Sequence, residues 1–140
     1  MDSTIWARVH GASTHLPIGL AFASWFFDTA GLVLARRPQA GQLHHAGYWT
    51  MLLAGASVFP AVASGLVLAR GEVLGHDLLR LHHLFVWPAF TLLVGLCVWR
   101  ATMREKAARV TLLGYLAVAF AAVCLLGGAG YWGGEMLLRN

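Results

Sequence analysis

Four stretches of about twenty residues, almost empty of charge, leave this chain few folds to choose from. They run over residues 16–35, 48–69, 81–99 and 110–132. Twenty helical residues cover about 30 Å, the thickness of a bilayer's hydrocarbon core. No water there satisfies backbone N–H and C=O groups, so each stretch must satisfy its own as a helix. Short connections force antiparallel neighbours, and the expected architecture is an all-α, up-down-up-down four-helix bundle forming one transmembrane domain over residues 1–140. The composition agrees: 59% of residues are hydrophobic and only 11% charged, against about 25% charged in soluble domains.

In chain order, Met1 to Thr14 reads as a short polar approach segment, at best amphipathic, without the pattern of a signal peptide. Pro17 suits the first turn of the first span, where its missing N–H is no loss. Arg36-Arg37-Pro38 stops that span. Pro60 and Pro88 are expected to kink the second and third. The second loop runs from Arg70 to Arg80 and carries Glu72, His76 and Asp77. The third runs from Arg100 to Arg109 and carries Arg104, Glu105 and Lys106. Met136 to Asn140 reads as a tail.

Basic residues set the expected orientation. Arg36, Arg37, Arg100, Arg104, Lys106 and Arg109 fall on one side, and Arg8, Arg70, Arg80 and Arg139 on the other. The positive-inside rule then puts both termini on the periplasmic side of a bacterial inner membrane, in a multi-pass protein. Trp6, Trp49, Trp99 and Trp132 fall at or near span ends, as interfacial tryptophans do. The formal charge of +4 reflects this topology rather than a nucleic-acid surface. Cys97 and Cys124 lie in apolar runs without a Cys-x-x-Cys spacing, and read as small buried hydrophobes rather than ligands.

The chemistry concentrates at the periplasmic end. His10 and His15 lie near the start of the first span, His76 just before the third, and His82 and His83 just inside it. A buried imidazole costs free energy unless it is paired or ligated. Bis-histidine haem needs two imidazoles from different helices at one depth, with a flat slot between them, and bundle cofactor sites are built that way. Gly130 and Gly134 form a Gly-x-x-x-Gly at the same depth. Gly19 lies one turn below His15, and glycine lets a flat macrocycle approach. Ordinary close packing through small residues is the competing explanation for the glycines. His82 and His83 point about 100° apart on a helix, so one of them faces a given site. His83, which shares a face with Trp87 and Phe90, is the preferred partner of His15, and His82 is the alternative. His10 and His76 read as supporting groups or as ligands of a second haem. Asp28, the one acid well inside a span, is a proton-relay candidate or a hydrogen-bonding partner of Ser57 or Ser64. His44 and His45 read as interfacial polar residues.

These same residues carry a family likeness. The chain resembles a bacterial membrane-protein family known as domain of unknown function 2231, whose members are similar four-span proteins. The likeness rests on His10, on His15-Leu16-Pro17-Ile18-Gly19-Leu20, on Asp28, on His82 or His83, and on Gly130-Tyr131-Trp132-Gly133-Gly134-Glu135. It covers nearly the whole chain. Leu16 stands where relatives carry an aromatic, and Gly11 where a proline commonly follows the first histidine. The resemblance implies four spans. Some relatives are joined to Rieske-type iron–sulfur domains, which implies electron transfer.

The expectation is therefore a membrane-embedded b-type cytochrome subunit. It would hold one haem b, or two, near the periplasmic face, and serve electron transport within a larger redox complex rather than act as a stand-alone enzyme. Its partners would be lipid, other membrane redox subunits, and a periplasmic cytochrome c or Rieske-type protein. A cofactor-free structural or assembly subunit and a non-haem copper or iron site built by His10, His15, His82 and His83 are the alternatives. No phosphate loop, nucleophile–base pair or nucleic-acid patch is present.

Overall fold

The structure is a computed structural model that describes residues 3–103 and 109–139. Arg104, Glu105, Lys106, Asp2 and Asn140 lie outside the described residues. The described residues form four helices joined by short connections: α1 (Ser3–Val33), α2 (Ala40–Leu68), α3 (Asp77–Met103) and α4 (Arg109–Arg139). All four are long and apolar enough to cross a membrane. Their outward faces carry Phe22, Phe26, Leu53, Phe59, Leu84, Val98 and Phe120, the surface that lipid requires.

The helices are longer than the spans expected from hydropathy. At 31, 29, 27 and 31 residues, they run roughly 40–46 Å. Three expectations change with this. Residues 3–14 are helical rather than an approach segment, so Pro17 lies inside α1 and is buried there. Arg100 is not a loop residue: it lies on α3, 1% exposed. Residues 133–139, including the expected tail up to Arg139, continue α4 beyond the expected span. Backbone helicity extends past the apolar core because nothing in Ile5–Val9 or Leu137–Arg139 breaks it.

Helix α1 packs mainly on α2, and α3 mainly on α4; the contacts of α2 with α3 and of α1 with α4 are lighter. The molecule is thus two tight hairpins laid side by side, with α1 and α3 parallel and diagonally placed. Both begin at the end that carries the chain termini, called here the terminal end. The core between the hairpins is built of Ala21, Met51, Ala54, Leu93, Leu96, Ala119 and Ala122, small or flexible residues that let helices approach closely. At Gly55 α2 and α3 approach closely, since a Cβ there would lie 2.5 Å from Cys97 Cβ and 2.6 Å from its Sγ. Cys97 is half-buried, whereas Cys124, expected to be buried, is exposed on the outer face of α4.

The α2–α3 link is pinned. Arg70 adopts φ 53° and Gly71 φ 81°, and the Gly71 N–H donates to Leu66 O at 2.8 Å, a left-handed helix ending. Trp87 Nε1 donates to Val73 O at 2.7 Å, which ties the link to α3.

Candidate functional site

A cavity of about 910 Å³ opens between the hairpins at the terminal end, lined by all four helices. Ligand pockets commonly measure about 300–1,000 Å³. Its walls are mostly apolar, from Ile18, Val58, Val62, Phe90 and Leu126, and four imidazoles reach it: His10, His15, His82 and His83.

Two of these imidazoles are held alike. His10 on α1 donates from Nδ1 to Ala61 O on α2 at 3.0 Å, beside Ser64 Oγ at 3.2 Å. His82 on α3 donates from Nδ1 to Ala129 O on α4 at 2.8 Å. A carbonyl can only accept, so each Nδ1 carries a proton, and in the neutral ring Nε2 is the lone-pair nitrogen. Metal-binding histidines are set up this way, with the distal N–H on a carbonyl fixing tautomer and orientation. The carbonyls are reachable for a local reason. A helical side chain leans toward the N-terminus and covers the turn before it. The residues four positions after Ala61 and Ala129 are Gly65 and Gly133, which cover nothing. A Cβ at Gly65 would lie 2.8 Å from His10 Cε1, and one at Gly133 would lie 3.4 Å from His82 Cε1.

The His10 and His82 ring centres are 6.5 Å apart with planes at 83°. Imidazoles bound through Nε2 at about 2.0–2.1 Å on opposite sides of one metal would have ring centres roughly 6–6.5 Å apart. His83 is 7% exposed, packs against Trp87, and has no hydrogen-bond partner for Nδ1. Among the described residues, no three His, Cys, Asp or Glu side chains converge as a metal-ligand group.

The opposite end holds a second polar centre. Asp28 on α1 is fully buried. Its Oδ1 accepts from His44 Nδ1 on α2 at 2.8 Å and from Arg100 Nη2 on α3 at 2.9 Å. Arg100 Nη2 also donates to His44 O at 2.9 Å, and the guanidinium lies 5.7 Å from the ring centres of both Tyr48 and Tyr115, within cation–π range. Ser24 donates to Gly47 O at 2.8 Å and lies 3.4 Å from Tyr115 Oη. Glycines again make the room: a Cβ at Gly47 would sit 2.7 Å from the Asp28 carboxyl carbon, and one at Gly31 would sit 2.8 Å from the His44 ring.

The two centres share a register. Eighteen residues separate His10 from Asp28 on α1, and eighteen separate His82 from Arg100 on α3. That is five turns, or about 27 Å. The parallel diagonal helices therefore face each other through polar side chains at both ends.

The family profile described as "predicted membrane protein (DUF2231)" matches residues 7–140. The chain belongs to this family. No curated protein and no solved structure matches it.

In this DUF2231 protein the residues singled out from sequence are distributed unevenly. His15 lines the cavity but is exposed, and its Nδ1 bonds to Gly11 O on its own helix. His76 is exposed, pairs with Glu72 and lies away from the cavity. Gly130 and Gly134 line it; Gly19 has open space around it and does not. Asp28 pairs with His44 and Arg100, not with Ser57 or Ser64, and His44 is a buried-site partner rather than an interfacial bystander. Arg100 went unrecognised as a site residue. The signal that could have found it is the eighteen-residue spacing that it and Asp28 share with two histidines.

Proposed function

We propose that this DUF2231 protein is a b-type cytochrome subunit of a membrane redox complex, with haem held between His10 and His82. The observation that carries the reading is the matched anchoring of these two rings. Each comes from one of two diagonal helices, gives Nδ1–H to a carbonyl, and keeps Nε2 for the apolar cavity they share. This pairing replaces His15 by His10 and favours His82 over His83. His83, buried with an unpartnered Nδ1, would serve as a polar contact of the bound group. When bound, haem supplies one-electron exchange at a potential set by its axial ligands and by burial. With Arg100 drawn into α3, five Arg and Lys remain at the opposite end against four at this one, a slight bias that supports a periplasmic position for the cavity, where a soluble cytochrome c or a Rieske-type protein could reach it.

The test is a visible spectrum of protein from haem-replete cells, oxidised and dithionite-reduced, with a pyridine haemochrome assay. A b-type α-band is expected. It should be lost in His10→Ala and in His82→Ala and kept in His15→Ala. A colourless, folded wild-type protein overturns the reading in favour of a cofactor-free subunit.

A further inference from the structure

At the end opposite the termini, the connection between α1 and α2 forms a second concavity with the start of α4. Its volume is about 430 Å³. Leu32 to Ala35 supply an apolar floor, and Arg36, Arg37 and Arg109 supply a cationic rim. The three arginines come from separate parts of the chain, the α1–α2 connection and the first residue of α4. Among the described residues no carboxylate forms an ion pair with any of them. The scaffold beneath Arg36 and Arg37 is preordered by successive turns: Leu34 N–H donates to Ala30 O at 2.8 Å, Arg37 N–H to Leu34 O at 2.7 Å, and Ala40 N–H to Arg37 O at 3.1 Å.

Three arginines lining one hollow, with no carboxylate paired to them among the described residues, repel each other unless an anion joins them. Their planar forks match phosphate oxygens. The hollow lies where a membrane-spanning helix ends, at the level of lipid headgroups, and its floor is apolar. A free phosphate would use only the rim. A phospholipid would use both, with its phosphate on the arginines and the start of its acyl chains on Leu32 and Val33. We propose that this hollow is a binding site for the headgroup of an anionic phospholipid. Basic pockets between transmembrane helices bind anionic headgroups in this manner. The site is independent of the haem reading, being at the other end of the bundle and sharing no residue with the cavity.

The experiment is native mass spectrometry of the full-length protein released from detergent containing cardiolipin or phosphatidylcholine, with thermal unfolding measured in parallel. Wild type is expected to retain cardiolipin through delipidation and to lose phosphatidylcholine. Each arginine near an anionic headgroup contributes about a factor of five to affinity. R36Q/R37Q/R109Q should therefore weaken retention by roughly a hundredfold, and R37Q alone by about fivefold. R36K/R37K/R109K keeps the charge and guards against misfolding of the triple glutamine variant; its retention should fall between that of wild type and that of the triple glutamine variant. R8Q/R70Q, at the terminal end, should retain cardiolipin like wild type. Three results overturn the proposal: equal retention of phosphatidylcholine, undiminished cardiolipin retention in the triple glutamine variant, or the same stabilisation from inorganic phosphate alone.

Discussion

Asp28 on α1 and Arg100 on α3 meet across the diagonal of the bundle at 2.9 Å, both essentially sealed from solvent. Because the two hairpins pack lightly on each other, this pair is a principal polar tie between them. His44 joins it from α2, and Tyr115 faces the guanidinium from α4, so all four helices converge on one carboxylate and one cation.

Removing one member leaves the other charge buried, which typically costs about 3–5 kcal/mol. Asp28→Asn and Arg100→Gln should each lower the thermal unfolding midpoint in detergent substantially. Asp28→Leu/Arg100→Met, which removes both charges, should recover a large part of the loss. A double variant no better than the worse single would refute the coupling.

Glycine positions should separate by what a methyl group would meet. Gly47→Ala puts a Cβ 2.7 Å from the buried Asp28 carboxyl carbon, and overpacking of this kind costs about 1–3 kcal/mol. Gly19 has open space around it, and Gly19→Ala should raise stability by roughly 0.5–1 kcal/mol through helix propensity. Thermal unfolding of both variants should move in opposite directions.

The uncovered carbonyls make a graded prediction for the cavity. Gly65→Ala drives a methyl group to within 2.8 Å of His10 Cε1, whereas Gly133→Ala approaches His82 Cε1 only to 3.4 Å. Haem content per protein, read by pyridine haemochrome, should fall markedly in Gly65→Ala and little in Gly133→Ala. The reverse order would show that His10 does not depend on the Ala61 carbonyl.

Trp87→Phe keeps the aromatic volume and removes the bond to Val73 O. A net loss of about 0.5–1.5 kcal/mol is expected, concentrated in the link between α2 and α3. Hydrogen exchange across residues 70–76 should quicken while that of the α3 centre stays unchanged.

The membrane bundle was legible because hydropathy reports burial in lipid directly, and four apolar runs with short connections admit one simple topology. Helix ends were not, since hydropathy stops where charge begins and the backbone does not. Arg100 shows the consequence: a cation bordering an apolar run reads as a loop residue, yet here it turns inward to meet Asp28. The histidine-rich end was legible as a layer, but which of its rings are held by carbonyls of a neighbouring helix was not. His15 opens the apolar run and draws the eye, while His10 lies a turn and a half earlier in a segment that does not look like a span. What favours His10 is a glycine four residues past a carbonyl on another helix, a relation across the fold that no local window contains.

The tie between Asp28 and Arg100 also bears on how the protein is made. His44 lies 16 residues from Asp28, within the first hairpin, whereas Arg100 lies 72 residues downstream. When the first hairpin leaves the ribosome, His44 is the partner at hand for the acid. Arg100 reaches Asp28 only after the third helix has been synthesised and inserted, so joining the second hairpin to the first is the step at which the acid meets its permanent counter-charge.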